Sequence, residues 1–355
     1  MKVNKYFTMA IIGAMALGLG SCQSGDPVFD DFEGGTTVYF ARQNVVRNIV
    51  LGNDETRDNT DDNNHVFYIV STMGGAYQGR DITMNLMVDN SLCDNLYFDE
   101  AGTRPVKPMP ANYYTIPSTT VSYNGGFLGR MQVKLEDAFF ADPAAAKETY
   151  VLPIRIKEQV GADSILSGVS NIAGVTPART DADMWAIAPK DYVLYCVKYM
   201  NPWAGFYIRS GEDKINRNGV VETVTRKGAT IGQDEAREFI TESMTECIFP
   251  VSVTKPDPTD AKKVITITCN LKLTFDAEGN VTVTSATEGM TATGSGKFTV
   301  NGAKLAWNNK DRDFMTLEYN VDFGEGITMQ SKDQFISQTR GNTNGAITFT
   351  SKYIQ

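Results

Sequence analysis

A single histidine, His65, stands in 355 residues, and it directly follows the polar run Asp58-Asn59-Thr60-Asp61-Asp62-Asn63-Asn64. Serine and cysteine triads need an imidazole held beside the nucleophile. Histidine-dependent hydrolysis is therefore left with one pairing, Cys93 with His65, on two unrelated loops. The five cysteines form no CxxC pair, and none has a histidine near it, so zinc-site spacings are missing too. Basic residues are outnumbered, 33 against 42 acidic, for a net charge of −9. Such a field repels nucleic acid and anionic bilayers, while a neutral ligand is indifferent to it. Beyond the first 21 residues no apolar run approaches the ~20 residues of a membrane span. Tryptophan is limited to three positions, Trp185, Trp203 and Trp307.

What is present begins at the N-terminus. Lys2 and Lys5 precede an apolar run from Tyr6 to Leu19, followed by Leu19-Gly20-Ser21-Cys22. A charged start, a short apolar stretch and small residues are the layout of a secretory signal. A cysteine just after the small residues resembles a lipobox, which implies acylation of Cys22 as the mature N-terminus. An ordinary signal peptide with an incidental cysteine is the alternative. With residues 1–21 removed, Lys2 and Lys5 leave, so 31 basic residues face 42 acidic ones, a net −11. Lipid is then the expected membrane contact. Residues 22–35, polar, acidic and closed by Gly34-Gly35, read as a tether with too little apolar surface to fold alone. Asp26, Asp30 and Asp31 resemble the export signals of Bacteroidota lipoproteins on the outer face of the outer membrane. Cell-surface exposure is the expectation, and a periplasm-facing anchor the alternative.

From Thr36 the pattern is β. Thr37–Phe40, Val66–Val70, Ile82–Val88 and Met131–Leu135 read as strands, several of them alternating. In Tyr150–Ile156, Pro153 predicts an edge or bulged position. Asp137–Glu148, with Pro143 inside it, is the best short helix. These features assign residues 36–158 to a β-sandwich. Residues 159–190, rich in glycine and proline, read as a connector. Residues 191–355 read as a second β domain opening on Tyr192–Tyr199 and Asn201–Arg209 and ending on a strand at 346–353. Asn301-Gly302 is the sharpest hairpin signal, because both residues accept positive φ. A long antiparallel meander hides its edges by closing, so an up-and-down barrel is expected. Cys196 and Cys269 lie inside strand-like runs, which favours buried thiols, with a disulfide among Cys196, Cys247 and Cys269 as the alternative.

Longer stretches carry a resemblance. Asp137-Ala138-Phe139-Phe140-Ala141-Asp142-Pro143, Tyr150–Ile156 and Asp163-Ser164-Ile165-Leu166-Ser167-Gly168, together with Leu92-Cys93-Asp94 and Tyr113-Tyr114-Thr115, resemble a Bacteroidota lipoprotein domain of unknown function. That domain is immunoglobulin-like and also precedes the catalytic barrel of some family-18 endoglycosidases. Asn201-Pro202-Trp203, Gly294-Ser295-Gly296-Lys297-Phe298 and Asn309-Lys310-Asp311-Arg312-Asp313 resemble the lipocalin-like domain that commonly follows it. The resemblance implies an all-β chain, an immunoglobulin-like sandwich followed by a lipocalin-like barrel. It further implies a surface accessory lipoprotein that binds oligo- or polysaccharide beside outer-membrane importer components. Ala204 stands where relatives are expected to carry a histidine or another polar residue.

Glycan binding needs an aromatic face against the sugar's C–H face and polar groups for its hydroxyls. Trp307, before the polar run Asn308–Asp313, and Trp185, in the connector, are the leading candidates. Trp203 and Tyr207 follow, although a tryptophan at the head of a lipocalin-like barrel also serves as a plug. Tyr113-Tyr114 is the first-domain alternative. No cofactor is implied. The Asp58–Asn64 run is dense in the oxygen ligands of calcium, yet it lacks an EF-hand's glycine and terminal glutamate, so a solvated loop is favoured. A carboxylate pair cannot be removed by counting, but the family-18 signature and any α/β barrel pattern are missing. The expected function is glycan capture without catalysis. An adhesin-like assembly subunit is the second reading, and a carboxylate hydrolase the third.

Overall fold

The computed structural model describes residues 35–75, 80–341 and 347–355. Seven main strands build the first half: β1 (Thr37–Tyr39), β2 (Asn44–Val50), β3 (Val66–Gly74), β4 (Thr83–Val88), β5 (Leu128–Leu135), β6 (Tyr150–Val160) and β7 (Tyr192–Met200). One sheet runs β1-β3-β5, flanked by Ser164–Ile165 and Tyr114–Thr115. The other runs β2-β7-β6-β4 and ends on Thr120–Ser122. Met131, Val133 and Leu135 of β5 point inward against Phe67, Ile69, Ile154 and Val197, while Arg130, Gln132 and Lys134 face water. That alternation is why β5 is legible as half-buried.

Three expectations are corrected here. Tyr192–Met200 is not the head of the barrel. It pairs with β2 in parallel and with β6 antiparallel, inside the sandwich. It is buried on both faces, Val193, Tyr195 and Val197 toward the sandwich core and Leu194 and Cys196 toward a second cluster with Leu92, Phe98 and Phe349. Pro153 lies in an interior strand rather than at an edge. Its carbonyl accepts from Asp89 N just past β4, so the missing N–H points where β4 has already ended. The C-terminal stretch leaves the barrel. Lys352–Tyr353 pairs with Leu96–Tyr97, and Phe349 packs on Phe98 at 5.3 Å between ring centres.

The second half is a closed barrel. Its strands are β8 (Gly205–Arg217), β9 (Val220–Arg226), β10 (Glu235–Ser243), β11 (Glu246–Asp257), β12 (Asp260–Phe275), β13 (Asn280–Ser285), β14 (Thr291–Trp307), β15 (Lys310–Asp322) and β16 (Ile327–Thr339). β8 and β10 to β16 pair in succession, and β16 returns to β8 along Phe206–Arg217, which closes eight strands. β9 is an extra arm on Gly211–Arg217 of β8, while β10 takes Gly205–Arg209 of the same edge. The expected hairpin at Asn301-Gly302 is instead a break in register within one long strand. Asn301, at φ 51°, bulges between Thr299 and Ala303, and its N–H donates to Asp313. The turn falls at Asn308-Asn309, with φ values of 54° and 56°. Tyr207, Phe239, Phe249 and Phe335 fill the barrel interior.

The two halves meet through side chains. Arg340 donates to the carbonyls of Leu51, Asn201 and Pro202, and Arg312 lies 3.3 Å from Glu55 of the sandwich. Cys93, Cys196, Cys247 and Cys269 are free, buried thiols, so no disulfide forms among the last three.

Candidate ligand-binding site

Cys22 lies outside the described residues. Of the aromatic candidates, Trp203 and Tyr207 fall together at the barrel end that faces the sandwich. The indole of Trp203 stacks on Phe275, with centres 4.4 Å apart and planes within 6°. The Tyr207 hydroxyl donates to Trp203 O at 2.7 Å. Tyr207 is only 2% exposed, so it belongs to the packing rather than to a surface. Trp307 closes the hairpin at that same end. Its carbonyl accepts from Arg312 Nε, the arginine beside Glu55. Trp185 opens a short strand, Trp185–Ile187, paired with Val169–Ser170, and its Nε1 donates to Ala178 O at 2.9 Å. Tyr113 donates to Asp142 from the edge of the sandwich core.

The other chemical candidates are occupied by structure. His65 stacks on Phe140 at 4.1 Å, and burial holds its pKa below the ordinary imidazole value. Burial pushes the Cys93 thiol up to about 12, aided by Asp94 and Asp89, far from a thiolate nucleophile. In the Asp58–Asn64 run, Asp62 is buried and accepts from Val50 N, Arg47 and Arg57. Among the described residues no cluster of acidic, histidine or cysteine side chains is placed to hold a metal ion.

The Ala178 carbonyl that Trp185 holds belongs to the wall of a polar hollow of about 440 Å³. Four distant parts of the chain build it. The first follows β4: Asp89 caps the turn Asn90–Cys93, accepting from Ser91 Oγ at 2.5 Å, and Asp94 and Asn95 come next, Asn95 in the left-handed region at φ 57°. The second is the connector Thr176–Thr180. The third is Tyr353, brought in when the C-terminal strand pairs beside Asn95. The fourth is Arg155 of β6, donating to Asp89 at 3.2 Å, and Arg179 donates to both oxygens of Asp191 at 3.0 and 2.9 Å. Arg155 Nε is buried, has no hydrogen-bond partner among the described residues and lies 4.0 Å from Asp191.

The electrostatics follow from this arrangement. Burial works against the Asp89 carboxylate, but its bonds to Ser91 and Arg155 outweigh that and hold its pKa below the usual value. At neutral pH Asp89 is therefore an acceptor, not a proton donor. Acceptors (Asp89, Asp94, Asn95) and donors (Arg155, Arg179, Asn95) share one concave surface that Tyr353 also lines. The sequence signal was slight. Asp89-Asn90-Ser91 after a strand reads as a cap, and nothing local announces that residue 353 will lie beside residue 95.

Residues 202–341 match the family described as a domain of unknown function, DUF5627, and residues 32–163 match one described as an N-terminal domain. No curated protein matches the chain. Among solved structures, a protein of unknown function from Bacteroides ovatus is 36% identical, at a TM-score of 0.79, over 92% of this chain and 100% of its own. A multidomain Bacteroides ovatus protein including DUF1735 is 14% identical over 84% of this chain and 94% of its own, at a TM-score of 0.39. A proposed carbohydrate binding protein from Bacteroides ovatus ATCC 8483 is 14% identical over 70% of this chain and 67% of its own, at 0.26. Scores that low carry nothing about this chain's fold or ligand. The first match is of another order: this chain's barrel region, residues 202–341, also matches the DUF5627 model, and at 36% identity across that protein's whole length the chain belongs to its family, one of unknown function.

Proposed function

We propose that the protein is a glycan-binding accessory lipoprotein of the cell surface, anchored through Cys22, which retains oligosaccharide for an outer-membrane importer and performs no catalysis. The observation that supports this reading is the polar hollow of Asp89, Asp94, Asn95, Arg155, Arg179 and Tyr353. Its volume lies within the range of small-molecule sites, about 300–1,000 Å³. Arg155 and Arg179, held in place by Asp89 and Asp191, line it with positive charge. Trp185 contributes by fixing the Ala178 loop, and Trp307 offers a second aromatic contact on the barrel.

The test is binding of the soluble chain, begun at Gln23, across a glycan panel. One polysaccharide class is expected to bind. Arg155→Ala and Asn95→Ala should weaken that binding about tenfold to a hundredfold, the value of one or two hydrogen bonds to charged or fixed groups. Trp185→Ala should weaken it less, through the loop. Loss only in Trp307→Ala would move the site to the barrel hairpin. Silence across the panel sinks the glycan reading and leaves a protein partner. Fatty-acid labelling that survives Cys22→Ala would overturn the anchor, and resistance of intact cells to added protease would overturn surface exposure.

A further inference from the structure

The outer face of the first sheet carries apolar side chains where a sandwich surface is normally polar. Val70 and Leu128 point away from the core at 37% and 50% exposure, with Tyr68 on the same face. Val70 and Leu128 join Tyr39, Val45, Arg42 and Tyr195 in lining a groove of about 480 Å³. The groove exists because β1 is short. Thr37–Tyr39 pairs with Thr72–Gly74, and then the chain crosses to the other sheet, so no described strand pairs with Val66–Ser71 on that side. Around the groove stand three cations: Arg42 in its wall, Arg130 opposite Val70 on β5, and Lys190 with its Nζ 5.9 Å from the centre of the Tyr39 ring. Among the described residues none of the three has a carboxylate within ion-pair distance.

We infer that this face is covered by the chain's own tether, with Val28, Phe29 and Phe32 on the apolar groove and Asp26, Asp30, Asp31 and Glu33 facing Arg42, Arg130 and Lys190. Where the tether joins the fold supports this occupant. Gly35 turns the chain at φ +70°, and its carbonyl lies so close to Gly75 that a Cβ there would meet it at 1.9 Å. The neighbouring Gly74 lies against the Tyr39 ring, where a Cβ would stand 3.2 Å away. The tether therefore joins the fold at the start of β1, the strand whose Tyr39 forms part of the groove wall. Composition agrees: Asp26–Glu33 holds three large apolar side chains and four carboxylates in eight residues, complementary to a face of apolar groups ringed by cations. A segment attached this closely sees its site at an effective concentration on the order of millimolar, so a weak contact is enough to fill it. The inference holds whether or not Cys22 carries lipid and does not depend on the glycan reading.

The test is cysteine cross-linking in the soluble chain from Gln23. Phe32→Cys with Leu128→Cys is expected to form an intramolecular disulfide at least tenfold faster than Phe32→Cys with Lys332→Cys on the barrel exterior. Adding Arg42→Glu and Arg130→Glu should slow it several-fold, as should 1 M salt, which screens the charges. Equal rates for the two pairs overturn the inference. So does a disulfide that forms only between two molecules, which would assign the face to a second copy. These substitutions lie on the surface or in the tether, so each variant should keep the parent's melting temperature.

Discussion

Asp333→Ala is expected to destabilise the barrel by about 3–5 kcal/mol, the range seen when one member of a buried ion network is removed. Asp333 is 3% exposed on β16. Its Oδ2 accepts from Arg209 Nε at 3.0 Å, from Arg209 Nη2 at 2.8 Å and from the Tyr319 hydroxyl at 2.8 Å, while Oδ1 accepts from Arg226. Asp213 holds the far side of the same cluster, pairing with Arg226 and accepting from Ser331. Truncation at 333 leaves one carboxylate, with partial help from Glu235, to balance two buried guanidinium groups. Arg226 comes from β9, so the cluster is also what ties that arm to the barrel. A fall of roughly 10 °C in Tm is expected in a thermal melt, at ~3 °C per kcal/mol for a domain of this size. Asp333→Asn, which keeps shape and loses charge, should fall between. A loss under about 1 kcal/mol would show that the arginines find solvent instead.

Arg340→Ala should have the next largest effect, and of a different kind. The guanidinium, 2% exposed, bridges Pro202 O at 2.6 Å, Leu51 O at 3.0 Å and Asn201 O, so one side chain satisfies carbonyls of sandwich and barrel together. Its removal leaves the Leu51 and Pro202 carbonyls without that donor and Asn201 O with the 3.4 Å bond from Ala204 N, a cost of about 3 kcal/mol. Two calorimetric transitions are expected in place of one, as the halves uncouple. Arg340→Lys should restore little, because an ammonium cannot span three fixed carbonyls in one plane. The same junction carries a pH dependence. Burial raises the pKa of Glu55, with the nearby Asp313 adding to it, and burial raises Asp313 likewise, against the opposing pull of Arg312 and Arg340. A carboxyl whose folded pKa is raised stabilises the fold most when protonated, below its ordinary value near 4. That contribution is lost as pH rises through the raised value. Coupling of the two transitions should therefore be tightest in mild acid and loosen toward neutrality. Glu55→Gln should flatten the profile, and an unchanged slope in that variant would refute the assignment.

These two clusters mark what was and was not legible in the chain. Strands with clean alternation, such as β5, and the long meander from Glu246 onward were readable because period and turn chemistry are local. β2 was missed, since Asn44-Val45-Val46-Arg47-Asn48-Ile49-Val50 mixes polar and apolar residues without a period of two. The apolar run of β7 was readable as a strand but not assignable to a layer, because a segment buried on both faces gives no direction. Asn301-Gly302 misled because positive φ suits a bulge as well as a turn. The polar hollow stayed hidden for a further reason. Asp89, Arg155, Arg179 and Tyr353 are united by topology, and no spacing along the chain encodes that meeting.

The return of the C-terminal segment has a consequence for biosynthesis. Tyr353 walls the hollow, and Phe349 completes the cluster around Leu92, Phe98 and Leu194. The sandwich begins at Thr37, yet it cannot finish until the entire barrel between Met200 and Ile347 has emerged. A nascent chain halted anywhere before residue 349 therefore holds a partly exposed apolar cluster and an incomplete hollow. Completion of the hollow thus waits on the return of Tyr353 from beyond the barrel.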